Sequence, residues 1–146
     1  MKILLLFPPD WLPSEPYLSL PALTSVLRPA GHEVIQKDIN VEMYDMFFSR
    51  PFLEQVSGRI AGELGHLLEV ESQRTLDEEE STLKEQLLQS TPDVLSRLAS
   101  DAEEAKNILR GESFYDIDKL EWATNTLHET MAHISLGYYP AQICFP

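Results

Sequence analysis

Residues 2–40, KILLLFPPDWLPSEPYLSLPALTSVLRPAGHEVIQKDIN, constrain the fold of this chain more than any other stretch. Ile3 to Phe7 is an unbroken apolar run between Lys2 and the Pro8-Pro9 pair. Its short length and bounding prolines predict a buried strand rather than a helix. Beyond Tyr17 the apolar residues fall at Leu20, Leu23, Val26 and Leu27, a helical spacing. Ser14 is one candidate cap for that helix. Ser19 is another, with Pro21 in the first turn, where a proline loses no hydrogen bond. Gly31 suits the position just past the helix end. Glu33 to Asp38, built around Val34 and Ile35, reads as a second strand. A strand–helix–strand crossover of this length is expected to be parallel and right-handed.

The expected class is therefore α/β. Residues 1–40 form an incomplete doubly wound βαβ unit of the Rossmann or flavodoxin kind. Residues 41–140 form a mostly helical bundle, and 141–146 a short C-terminal segment. Such sheets bind ligands in the crevice beyond the carboxyl ends of their strands. Pro8, Pro9, Asp10 and Trp11 would line it after the first strand, and Asp38 and Asn40 after the second. The first loop has no glycine and carries Pro8, Pro9, Pro13 and Pro16. Cradling a phosphate needs glycines and free N–H donors, so a dinucleotide site or P-loop is not expected here. A stiff loop bearing Trp11 suits the face of a large flat ligand or the packing of a neighbouring domain. A plain structural connection explains the same residues equally well.

The string LLLFPPDWLPSEPYLSLPALTSVLRPAGHEVIQKDIN resembles the start of the cobalamin-binding domains attached to radical SAM enzymes. In that family a strand ending in Pro-Pro precedes a Pro-rich loop, a Leu-rich helix, Leu-Arg-x-x-Gly-His-x-Val and an Asp-x-Asn. The matching residues are Pro8, Pro9, Leu27, Arg28, Gly31, His32, Val34, Asp38 and Asn40. The tail from Ile108 is similar to a helical segment that some members insert after the second strand, through Phe114, Tyr115, Asp116, Tyr138, Tyr139 and Pro140. The resemblance implies cobalamin as the cofactor. It also implies a 4Fe–4S cluster and S-adenosylmethionine in a part of the parent enzyme that this chain lacks. The family's Cys-x-x-x-Cys-x-x-Cys motif is missing, since Cys144 is the one cysteine. The Asp-x-His-x-x-Gly motif of methionine-synthase-type domains is also missing: the loop reads Asp10-Trp11-Leu12-Pro13. No histidine from this loop can ligate cobalt. The chain is thus expected to be the N-terminal part of a longer enzyme, not itself catalytic, with an incomplete corrinoid site.

The net charge of −13 argues against nucleic-acid binding, which needs clustered Lys and Arg to displace counterions. Residues 69–104 hold eleven acids against Arg74, Lys84 and Arg97, whereas the first forty residues are nearly neutral. The run Asp77 to Glu80 lacks EF-hand spacing and reads as a helix start or solvated face. No apolar run approaches the ~18 residues that span a bilayer, and the N-terminal apolar run stops at Pro8 without a cleavage site. A cytoplasmic protein with no membrane association is expected. One cysteine gives no internal disulfide.

After Asn40 the pattern is helical. Leu53, Val56, Ile60, Leu64 and Leu67 form one stripe, with Gly58 and Gly62 read as a close-packing pair. A second helix is expected from about Leu76 to Gln89. Thr91-Pro92-Asp93 starts a third, with Val94, Leu98, Ala102, Ala105 and Leu109 buried and Gly111 at its end. Asp116 caps a last helix whose stripe is Ile117, Leu120, Thr124, Leu127, Met131 and Ile134. His128 and His133 are five residues apart. That turns them roughly 140° from one another on an α-helix, unlike the i, i+4 pair of zinc proteases. No metal site is assigned.

Two functions follow. In one, the chain positions or shields a corrinoid for the remaining domains of a parent radical SAM enzyme. In the other, it is an acidic helical protein-interaction module without cofactor. The first strand lacks a neighbour on one side, so a homodimer is expected unless the AQICF tail covers that edge.

Overall fold

Short apolar runs and amphipathic stripes resolve into two strands and six helices in the computed structural model, which describes residues 1–8 and 18–143. In chain order they are β1 (Lys2–Phe7), α1 (Ser19–Leu27), β2 (Glu33–Asp38), α2 (Ile39–Phe47), α3 (Arg50–Gln73), α4 (Glu78–Gln89), α5 (Pro92–Arg110) and α6 (Ile117–Gly137). A 3-10 turn, Glu112–Tyr115, precedes α6. The chain divides into a first compact unit, Met1–Met46, and a second that begins at Phe47. Among the described residues no helix is long and apolar enough to cross a membrane.

In the first unit β1 and β2 pair in parallel, in register from Lys2↔Glu33 to Phe7↔Asp38. The connection between them contains α1, as the periodicity predicts. Ser19 does not cap that helix: it is the first helical residue, Leu18 holds the cap position, and no side chain caps it. Ser14 lies outside the described residues. Pro21 sits in the first turn, where its missing N–H has no partner to lose. At the other end Gly31 adopts φ 81°, the left-handed turn that glycine enters without steric cost. The His32 N–H then closes the helix by bonding the Leu27 carbonyl at 3.2 Å.

Residues two apart on a strand share a face. Ile3, Leu5, Val34 and Gln36 form one face through the pairings Ile3↔Val34 and Leu5↔Gln36. From that face the Gln36 amide donates to the Leu20 carbonyl and the Thr24 hydroxyl, so α1 lies over it. Leu20, Thr24 and Val34 are buried there. The opposite face leaves Leu4 54%, Leu6 50% and Ile35 50% exposed. This corrects the expectation of a buried first strand. Within this unit only one face has a helix on it among the described residues, and β1 alternates between half-buried and exposed. Among the described residues β1 pairs with β2 alone and Ala141–Ile143 adds no strand; the rest of the AQICF segment, Cys144 and Phe145, lies outside them.

The second unit is helical throughout. Leu53, Val56, Ile60 and Leu67 of α3 are buried along the expected stripe. Gly58 and Gly62 are not a packing seam: a Cβ on either meets nothing within 4 Å. Both lie on the solvent side, where Arg59 and Glu63 also lie. Close approach occurs instead at Gly137, where a Cβ would fall 2.8 Å from Val56 Cγ1. Asp77 starts α4 with a complete capping box, its carboxylate accepting the Glu80 N–H at 2.9 Å. Thr91 caps α5 with Pro92 in the first turn, and Gly111 closes it. Asp116 caps α6 through the Lys119 N–H.

The buried faces of α5 and α6 are broader than their hydropathy stripes. Leu95, Ala99 and Ile108 join Leu98, Ala102 and Ala105, because α5 packs on both α3 and α6, whereas Val94 and Leu109 of the expected stripe are only half-buried. On α6 the buried set is Ala123, Thr126, Leu127, Thr130, Met131 and Ile134. Ile117 is 78% exposed and Thr124 is exposed, contrary to the expected stripe. Thr130 enters the core because its hydroxyl donates to the Thr126 carbonyl of the same helix at 2.8 Å.

Candidate functional site

The pairing Phe7↔Asp38 sets both strand ends at one edge of the sheet, with Pro8 following β1 and α2 following β2. Pro8 is exposed there. Pro9, Asp10 and Trp11 lie outside the described residues. Asp38 serves the local fold, because its Oδ1 accepts the Val41 N–H at 3.1 Å and so satisfies one of the first donors of α2. Beside it Lys37 and Glu42 form an exposed ion pair at 3.0 Å.

Asn40 differs from its neighbours. It is only 2% exposed, and its Oδ1 has no hydrogen-bond partner among the described residues. A buried acceptor without a donor costs about 1–3 kcal/mol and so calls for a partner; His32 Nδ1, at the opposite end of β2, is the other buried side-chain atom without one among the described residues. Of the six residues expected to line the crevice, Pro8, Asp38 and Asn40 are therefore placed at one end of the sheet. Of these three, Asn40 is the one with an unmet bonding demand among the described residues.

The aromatic residues of the tail have separate roles. Tyr138 stacks on Phe52 at 6.0 Å between centroids, and the Arg59 guanidinium lies 4.2 Å above its ring. Phe114 and Tyr115 make an edge-to-face pair in the 3-10 turn, with Tyr115 87% exposed. Tyr139 donates its hydroxyl to Glu79, which pushes the phenol pKa upward. His133 Nδ1 lies 2.8 Å from Ser90 Oγ, joining α6 to the end of α4. Burial lowers the pKa of that imidazole, aided by Arg97 and opposed by Glu129. His128 faces a different space, the cleft described next. No group of three or more potential metal ligands converges among the described residues.

A cleft of about 770 Å³ opens between α4, α6 and Ala141–Ile143. Its floor includes Leu83, Met131, Leu136 and Ile143, and its rim Glu78, Glu79, Gln86 and His128. Ser135 fixes the last segment, exchanging two 2.8 Å hydrogen bonds with the backbone of Ile143. Sequence patterning does not single out this cleft. Its lining comes from helices some fifty residues apart, and the Glu78-Glu79 pair, read as a helix start, is the one local signal. The neighbouring Glu80 carboxyl is held at about 2 by the Arg74 guanidinium and the Asp77 N–H, so its charge is matched within the capping box.

No family model, curated protein or solved structure matches the chain.

Proposed function

We propose that residues 1–40 are the opening βαβ unit of a doubly wound, cobalamin-binding-like domain, and that the protein acts as the N-terminal part of a radical SAM enzyme. The observation that carries this reading is the parallel β1–α1–β2 arrangement with one apolar sheet face left bare at Leu4, Leu6 and Ile35. A parallel sheet is ordinarily covered on both faces. A bare apolar face beside an unextended edge is what the first two strands of such a domain present before the rest is added. The buried, unpartnered Oδ1 of Asn40 supports a ligand at the carboxyl end of the sheet.

The residues present suit part of a corrinoid. Asn40 would accept a hydrogen bond from an amide side chain of the ring periphery, and Pro8 would form part of the apolar wall. Asp38 is already engaged by the Val41 N–H, so its role is to hold α2 in place. Bound cobalamin supplies organometallic chemistry at its cobalt. This chain's contribution would be to seat and shield the ring, with the reacting groups carried by the remaining domains of the parent.

The test is the coding sequence beyond Pro146, followed by purification of the complete product with hydroxocobalamin. A downstream Cys-x-x-x-Cys-x-x-Cys motif and corrinoid absorbance that co-elutes with the protein are expected. An open reading frame that closes without that motif contradicts the proposal.

A further inference from the structure

We propose that the cleft between α4 and α6 binds small organic cations, a primary ammonium or guanidinium carried on a compact apolar body. The cleft belongs to the second unit and is independent of the sheet. Its volume of about 770 Å³ falls in the range of small-molecule sites. The floor is built from Leu83, Met131, Leu136 and Ile143, which favours an apolar body.

The charge at its mouth selects the head group. Glu78 and Glu79 line the cleft. The neighbouring cations are committed elsewhere: Arg74 to Glu80 at 2.5 Å and Lys84 to Glu71 at 2.6 Å. Glu79 takes a neutral hydroxyl from Tyr139, and Glu78 has no cation within ion-pair distance among the described residues. The N-terminal dipole of α4 offsets only about half a charge. His128 is the one basic side chain in the lining, and with the histidine neutral two carboxylates against half a positive charge leave a negative mouth over an apolar floor. An anionic ligand meets repulsion there, and a neutral one gains from the floor alone. A cation on an apolar body gains from both.

Titration of the full chain with 2-phenylethylammonium, followed by amide shifts in two-dimensional NMR, tests this. Saturable shifts are expected around Leu83, Met131 and Leu136. The neutral isostere 2-phenylethanol should bind about fivefold more weakly, the size of one contact-range charge pair in water. The anion 3-phenylpropionate should leave these amides unmoved. Glu78→Gln, an exposed change, should reduce the preference for the ammonium over the alcohol, and added salt should do the same. Equal binding of ammonium and alcohol, or shifts that never saturate at these positions, overturns the proposal. A Glu79→Gln variant with an unchanged spectrum and undiminished selectivity for the ammonium counts against it equally.

Discussion

Gly137 at the end of α6 lies against Val56 of α3, so that a Cβ at Gly137 would sit 2.8 Å from Val56 Cγ1 and 3.4 Å from the Val56 carbonyl oxygen. Val56 is fully buried and β-branched, so it has little room to turn away. Gly137→Ala should therefore lower stability by about 1–3 kcal/mol through overpacking. Gly62→Ala should do the reverse, adding about 0.5–1 kcal/mol, since the methyl meets open space in mid-helix. Urea denaturation of both variants checks the pair. Equal effects would mean that Gly137 is not the point of close approach.

The His133–Ser90 contact predicts a pH dependence. Burial lowers the native pKa of His133 below its ordinary 6.5. The unfolded chain then binds more protons than the native one just below that value, so stability rises with pH through the window. The contribution is fully present above pH 6.5 and is lost as the pH falls towards the depressed native value. Denaturation midpoints should drop between pH 7.5 and 5.5, and His133→Gln should flatten that drop. An unchanged slope in the variant assigns the dependence elsewhere.

The bare sheet face predicts self-association of the isolated chain. Leu4, Leu6 and Ile35 offer an apolar surface next to a strand edge, a combination that recruits a second copy. Light scattering at tens of micromolar should show dimer, and Leu4→Lys should return it to monomer. A monomer in the unaltered protein rules this interface out.

Asn40 predicts a trade between stability and binding. Replacing a buried acceptor that lacks a donor by an apolar side chain of similar size removes a desolvation cost. Asn40→Leu should leave stability unchanged or raise it by about 1 kcal/mol. A large loss in thermal denaturation would show that Asn40 serves the fold rather than a ligand.

Much of the fold was legible because it depends on local chemistry. Each strand is set by its own short apolar run, and the Gly31 turn and the Asp77, Thr91 and Asp116 starts by residues within four positions of one another. Tertiary context decided the rest. The outward turn of Gly58 and Gly62 depends on which face of α3 meets α5 and α6, and the GxxxG spacing alone carries no such information. Thr130 is buried despite its polarity because its hydroxyl bonds its own helix. Lys106 is buried along α5 with its ammonium on Glu103 at 2.9 Å, which a hydropathy stripe also misses. For the candidate crevice, the Asp-x-Asn spacing put Asp38 and Asn40 together. Only the structure separates their roles, a helix cap for one and an unmet acceptor for the other.

The central claim, a partial corrinoid seat at the carboxyl ends of β1 and β2, is tested most directly by titrating the chain with hydroxocobalamin and mapping amide shifts. Weak shifts that do not saturate in the micromolar range are predicted at Phe7, Asp38, Ile39 and Asn40, and they should disappear in Asn40→Leu. Micromolar affinity would contradict an incomplete site. An absence of any shift at these four positions at millimolar corrinoid would contradict the seat itself.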